Sequence, residues 1–411
     1  MAHRSPQTPY LSKLPRRSRI YGLEPIGLDT PMQESLYSYF LRISERHCTS
    51  PHRLSVFILE THNFPLRRLI NGTLRLSSHD IAGAGVGAES LALALQKEND
   101  AIPFRNLTLL PFREHLPTTG RGGRFRQWCP LCIEENQQLG QNYYPLIWEF
   151  SAAKACPIHK CTLSTICSNC DTCFRKEARF SSVRIGYCNH CGKWLGKKAS
   201  KVLYSNEYDV ACSQKILEWI GDLDSQHDWS FENMIKSLRL IRDHRFDGNA
   251  RAFSEALGLR PPTVHPWLHG RHRPSVEHLL RISMLSGEPL SALISNKIRA
   301  ASKTFKTDAT HSPPRSRRRK RLTRSAALKM LDTLPTSPPP SLAEVERRTG
   351  YCKQALRLHA PKELAEIQKA YANWRRDKVV DANKSAQAAT EKLATEYTNL
   401  TRRDFWPASG A

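Results

Sequence analysis

No stretch of this 411-residue chain approaches the ~20 consecutive apolar residues that a membrane-spanning helix needs. A helical span is therefore excluded and a soluble protein expected. The first 22 residues, MAHRSPQTPYLSKLPRRSRIYG, hold no apolar run that could serve as a secretory signal. Acidic side chains are scarce beside basic ones: 38 Asp and Glu against 62 Lys and Arg leave a formal net charge of +24. A positive field of that size favours a polyanionic partner, with nucleic acid the leading candidate. Catalytic equipment is also missing. Gly83, Gly85 and Gly87 mark a turn, but no Gly-Lys-Ser or Gly-Lys-Thr follows them and no clear strand precedes them. With no nucleotide loop and no activated nucleophile, the chain reads as a non-enzyme.

What is present is a run of short ligand pairs between Trp128 and Gly192. Cys129 and Cys132 have two residues between them, as do Cys156 and His159, Cys167 and Cys170, and Cys188 and Cys191. Two side chains at that spacing on a tight turn can aim their donor atoms at one ion, and Zn²⁺ takes four in a tetrahedron. Taken in order, the pairs close one site of three cysteines and a histidine and one of four cysteines. Both are saturated, so two structural Zn²⁺ ions are expected and no open position for catalysis. The 12 cysteines are even in number, but a disulfide framework belongs to oxidising compartments and small secreted domains. Reduced, metal-bound cysteines place the chain inside a cell. Cys161, Cys173 and His190 lie near enough to replace a neighbouring ligand. Cys48, Cys212 and Cys352 are isolated and read as small apolar side chains.

Around this hub the pattern is helical. Residues 31–47 carry Leu36, Tyr39, Phe40 and Ile43 at helical spacing, with Pro31 near the start and Glu34 in the first turn. Further helices are expected from Pro51 to Leu59, after the glycines within 79–96, and twice within 208–245. Arg121, Arg124 and Arg126 precede the first knuckle, where they either meet a phosphate backbone or form a plain loop. Trp148 and Tyr144 are expected to pack against the first site. The segment RKEARFSSVRIGY suits a β-hairpin.

The run ESLYSYFLRISE followed by WCPLCIEEN, IWEFSAAKACPIHKCTL, CSNC and YCNHCG resembles the TniQ/TnsD family, the target-selection proteins of bacterial transposons. Glu34, Ser35, Leu36, Ser38 and Arg42 match its E-S-L-x-S-x-x-x-R pattern, and the eight paired ligands match its zinc positions. The resemblance spans roughly residues 20–200. It implies recruitment of an AAA+ ATPase and, through it, a DDE transposase, with Glu34 to Arg42 on a helix that contacts the ATPase. It also implies a bacterial, cytoplasmic, nucleoid-associated protein.

Residues 251–294 have helix-turn-helix punctuation and resemble a Cro-type DNA-binding domain. Gly258 and Gly270 end the first two helices and Pro274 opens a third. By that resemblance Thr263, His265 and His269 face the major groove and Arg271, His272 and Arg273 reach phosphates. Pro266, inside the reading helix, should delay or kink it. A basic linker carries Arg317, Arg318, Arg319, Lys320 and Arg321. Beyond it a second helix-turn-helix unit presents Lys353, Gln354 and Arg357, and Ser341 with Glu344 forms a capping box. Leu364, Ile367, Ala370, Tyr371 and Trp374 read as a core stripe, with a separate surface helix at 382–400.

The expected architecture is mainly α and multidomain, with a central zinc-ribbon module carrying small β-hairpins and helix-turn-helix domains towards the C-terminus. Its parts are a flexible basic arm (1–22), a TniQ-like helical region (23–127), a double zinc module (128–200) and a helical region with the Cro-like unit (205–298). A basic Pro-rich linker (299–324) and a second helical domain (325–411) follow. The expected role is a target selector in transposition that binds double-stranded DNA. Two alternatives remain: an adaptor to an RNA-guided CRISPR effector, and a zinc-containing helix-turn-helix transcriptional regulator. A homo-oligomer is compatible with each.

Overall fold

The computed structural model describes residues 18–64, 81–115, 125–174, 184–198, 202–298, 323–349, 351 and 353–398. The basic arm before residue 18, Arg121, Arg124, most of the expected hairpin at 175–183, the linker arginines 317–321 and Cys352 lie outside them. The chain divides into two compact units, Met1–Arg315 and Ser316–Ala411.

The first unit opens with α1 (Leu36–Arg46), whose buried face includes Leu36, Phe40 and Ile43. Helix formation begins later than Pro31 because Ser35 is the N-cap: its hydroxyl accepts the N–H of Ser38. Glu34 thus precedes the helix. Next, α2 (Pro51–Thr61) starts on Ser50 with Pro51 in its first turn. It packs on α1 and on α3 (Val86–Glu98). A short helix, α4 (Pro130–Gln138), begins at Cys129 itself. The ligand-bearing stretch then runs as turns joined by isolated bridges, Trp128 with Ser164, Ala155 with Thr162, Ile166 with Cys173 and Tyr187 with Trp194. Among the described residues this stretch holds isolated bridges and no longer strand.

After it come α5 (Glu207–Gly221) and α6 (Phe231–Phe246), then four shorter helices. These are α7 (Ala250–Ala256), α8 (Pro261–Leu268), α9 (Val276–Ser286) and α10 (Leu290–Ser295). Gly258 at φ 66° and Gly270 at φ 70° take the left-handed turns that follow α7 and α8, a conformation glycine adopts without steric cost. Helix α8 starts at Pro261 and runs through Pro266. The missing N–H falls only one turn into an eight-residue helix, so little of the ladder is lost.

One hydrophobic core spans this unit from Ile20 to Ile294. At its centre Phe112 meets Phe150, Trp219 and Trp229 edge-on or tilted, at centroid distances of 5.1, 4.7 and 5.6 Å. Those four rings come from the N-terminal region, the ligand-bearing stretch and the helices beyond it. The divisions expected near 127 and 205 are therefore not breaks in packing. Small cysteine-rich segments bury too little apolar surface to stand alone. Here they share the core of their neighbours, and each buried ring is worth about 3–5 kcal/mol on truncation to alanine.

The second unit holds α11 (Arg324–Asp332), α12 (Leu342–Thr349), α13 (Lys353–His359) and α14 (Pro361–Thr398). Its own core joins Ala327, Leu331, Val345, Leu356 and Leu364. Ser341 caps α12, its hydroxyl accepting the Glu344 N–H at 3.2 Å. Instead of a core helix followed by a surface helix, α14 is one helix of 38 residues, about 57 Å long. Only Leu364 of the expected stripe is fully buried, Ala370 is exposed, and Tyr371 and Trp374 are half-buried. The stripe runs out because the small core beneath it ends within the first turns of the helix. Among the described residues no helix is long and apolar enough to cross a membrane.

Candidate metal centres and the basic face

The eight paired residues gather in space as two clusters: Cys129, Cys132, Cys156 and His159, and Cys167, Cys170, Cys188 and Cys191. In the first, His159 Nδ1 lies 3.5, 3.3 and 3.6 Å from the sulfurs of Cys129, Cys132 and Cys156. Cys132 and Cys156 are 3.6 Å apart. In the second, Cys167–Cys191 and Cys170–Cys188 are 3.8 and 3.7 Å. A tetrahedral Zn²⁺ with bonds of about 2.3 Å to sulfur and about 2.0 Å to nitrogen has edges of about 3.5–3.8 Å. The donor types and the edges are thus compatible with zinc at both places.

Three of the four pairs are built on one turn. The carbonyls of Cys156, Cys167 and Cys188 each accept, at 2.9 Å, the N–H of the residue four further on: Lys160, Asp171 and Gly192. Those residues sit in the left-handed region at φ 53°, 52° and 68°. The bend reverses the chain and aims both ligands inward. In the remaining pair Cys129 caps α4 instead, its sulfur accepting the Cys132 N–H at 3.4 Å. Further backbone N–H groups point at sulfur, from His159 to Cys156 and from Cys191 to Cys188. Such donors favour the thiolate, which is the form that binds metal.

Support for the ligands comes from residues that spacing rules do not mark. Glu135 Oε1 lies 2.8 Å from His159 Nε2, so the carboxylate fixes the ring with Nδ1 towards the sulfurs. Glu135 follows Cys132 by three residues on α4, one helical turn away, and that offset was a readable signal. Its neighbour Glu134 accepts the Trp194 indole N–H at 2.7 Å and so ties the last knuckle to α4. Trp194 fits because Gly186 and Gly196 stand against it; a Cβ on either would come within 2.3 Å of the ring. Of the alternative ligands, His190 is exposed. Cys161 is fully buried with its sulfur 3.4 Å from Cys129, yet it stands outside the four convergent donors. Cys173 belongs to neither cluster. Cys48 is exposed and Cys212 buried.

The residues expected to meet a partner ATPase turn inward. Glu34, Ser35, Leu36 and Ser38 are fully buried. Glu34 accepts the Ser38 hydroxyl at 2.7 Å, the Ile26 N–H at 3.0 Å and the Arg42 guanidinium at 2.5 Å. Burial pushes its carboxyl up from the ordinary value while Arg42, Ser38 and Ile26 pull it down. The Ser38 hydroxyl in turn accepts the Tyr144 N–H at 2.9 Å, and the Ser35 N–H donates to the Tyr144 carbonyl at 2.9 Å. The motif thus fastens α1 to the segment between the first two knuckles. In this arrangement only Arg42 keeps some exposure, so a direct contact through the other four has no surface to use. Spacing shows that polar groups recur, not whether they face water or one another.

Arg126, read as part of a basic loop, is also interior. It lies with its guanidinium 3.3 Å from the Tyr37 ring centre and 4.0 Å from Glu149. The groups expected to meet DNA mostly do lie outside. His265, His269, Arg271, His272 and Arg273 are exposed and Thr263 is half-buried. His265 and His269 touch through their Nε2 atoms at 3.1 Å. Lost hydration, then His265 and Arg271, hold the His269 ring below its usual value. Lys353, Gln354 and Arg357 are exposed on α13.

Residues 25–163 match the TniQ family. The match takes in the buried motif of α1 and all four residues of the first cluster, and it stops short of the second. The family is linked to target selection and adaptor roles in transposition. No curated protein matches this chain.

Proposed function

We propose that this protein is a non-enzymatic target selector of a TnsD-like kind, which binds target DNA and recruits an AAA+ ATPase and thereby a DDE transposase. One observation carries the reading: the family match and the first metal cluster coincide on a single buried framework, α1 fastened to the knuckle segment through Ser38 and Tyr144. Two structural Zn²⁺ ions, one in each cluster, hold that framework and its neighbour in place. Helix α8 reads bases through Thr263, His265 and His269, with Arg271, His272 and Arg273 on the flanking phosphates. Support comes from its place between the short capped helices α7 and α9, its exposed basic edge and the net charge of +24. Lys353, Gln354 and Arg357 of α13 form a second contact, and linker residues Arg317 to Arg321 add counterion release.

Fluorescence anisotropy with a duplex library, without guide RNA, tests the first half. Specific binding that Arg271→Gln and His269→Ala each weaken about tenfold is expected. Retention of a cognate ATPase on the immobilised protein tests the second. A protein that ignores duplex DNA but is retained by an RNA-guided effector complex would instead be the adaptor. One that binds DNA with no ATPase retained would be the regulator.

A further inference from the structure

Three arginines from two distant parts of the first unit meet around one half-open cleft of about 540 Å³. Arg105 and Arg113 come from the turns before residue 115, and Arg273 from the segment between α8 and α9. Glu89 pairs with Arg113 at 2.9 Å, and Glu114 adds a second carboxylate to the lining. Arg105 and Arg273 have no carboxylate partner among the described residues. Arg105 reaches only the Leu110 carbonyl at 3.5 Å, and Arg273 lies 4.9 Å from the centre of the Phe231 ring.

Two more groups lining the cleft lack partners. Trp229 Nε1 and His115 Nδ1 are buried and make no hydrogen bond among the described residues. Burial, then the charge of Arg273, pushes His115 down to about 4, so its ring is neutral near pH 7 and can carry a proton on Nδ1. Buried polar groups are normally satisfied, and unpaired ones gathered at one place call for an explanation. Four donors arriving from three chain segments suit an anion with oxygens in several directions better than a planar carboxylate. Guanidinium forks match phosphate oxygens in pairs.

We propose that this cleft is a phosphate-binding site, with Arg105 and Arg273 as the charged clamps and Trp229 and His115 as the interior donors. The phosphate belongs either to the backbone of a bound duplex or to a free phosphorylated small molecule. The site does not depend on base reading by α8.

Calorimetric titration of the full-length protein with inorganic pyrophosphate, alongside anisotropy with a labelled duplex, tests it. Arg105→Gln/Arg273→Gln and Trp229→Phe are compared with Arg271→Gln, which lies outside the cleft lining. Expected is at least a tenfold loss of pyrophosphate affinity in the double variant and about a threefold loss in Trp229→Phe. Arg271→Gln should leave it unchanged, with thermal midpoints preserved. A parallel loss of duplex affinity in Trp229→Phe, a residue outside the DNA contacts proposed for α8 and its flank, assigns the phosphate to DNA, even where pyrophosphate itself binds too weakly to measure. Unchanged duplex affinity with lost pyrophosphate binding assigns it to a small molecule. The proposal is overturned if neither ligand distinguishes the double variant from wild type, or if Arg271→Gln weakens pyrophosphate equally. Should the double variant fail to fold, unchanged binding of both ligands by Trp229→Phe overturns it alone.

Discussion

The two cysteine clusters have the same ligand spacing and different surroundings. In the first, Cys129, Cys132 and Cys156 are buried, and the adjoining segment contributes Phe150 to the main aromatic core. In the second, Cys167 and Cys188 are buried in the same core while Cys170 and Cys191 are half-exposed, and the links to the rest include Trp194 with Glu134 and the Gly186 N–H with the Tyr144 hydroxyl. Equal chemistry therefore carries unequal weight. The first cluster is part of the interior on which α1 rests, while the second lies at the edge of that core, with two ligands inside it and two towards solvent.

Removing one ligand from each cluster should break the symmetry most sharply. Cys129→Ser is expected to unfold the first unit, because the free energy of a structural zinc site, about 10–16 kcal/mol in small domains, is then lost to the core. Cys188→Ser should lose one zinc and leave most of the thermal transition in place. Metal analysis with melting curves reads both, and equal losses would mean that the two clusters are equally central.

Glu34→Ala comes next. It strands Arg42 and releases the Ser38 hydroxyl, at about 3–5 kcal/mol for breaking a buried pair. Urea unfolding should register that loss while both zinc ions stay bound. A loss below about 1 kcal/mol would show that α1 is held chiefly by Leu36, Phe40 and Ile43.

Acid separates the core from the metal. His115 is pushed down to about 4 by burial and Arg273, below its unfolded value near 6.5. The unfolded chain then binds the extra proton first, so stability is full above about 6.5 and falls as the pH drops towards 4. The loss is about 3 kcal/mol at most. His115→Phe should flatten that part of the pH profile and leave the pH of zinc release unchanged. A profile as steep as wild type would sink the assignment.

Glu135→Gln is the mildest cut. It should weaken zinc at the first cluster about 10- to 100-fold, as loss of a supporting carboxylate does. The second cluster, where the Asn169 amide lies 3.4 Å from the Cys191 sulfur, should be unaffected in a chelator competition.

The sequence was most legible where chemistry fixes spacing. Ligands two residues apart must share a turn, so all eight could be named before any fold was known. Helices announced by a cap, such as α12 after Ser341, were legible for the same local reason. Burial was not. Ser38 and Arg126 are polar letters whose partners lie far along the chain: Tyr144 N–H for Ser38, the Tyr37 ring for Arg126. Nor could the length of α14 be read, since the stripe that begins it at Leu364 ends with the small core beneath it and the helix simply continues. The cleft at Arg273 was hidden for want of any motif; its donors meet only once the turns after α3, the segment between α5 and α6 and the segment before α9 have packed together.

The left-handed residue closing three of the four knuckles has a further consequence. Lysine, aspartate and glycine occupy it in this one chain, so what recurs there is a bend in the main chain and not a side chain. The cage around the ion should keep its shape for any replacement that tolerates a positive φ and lose it for a β-branched one.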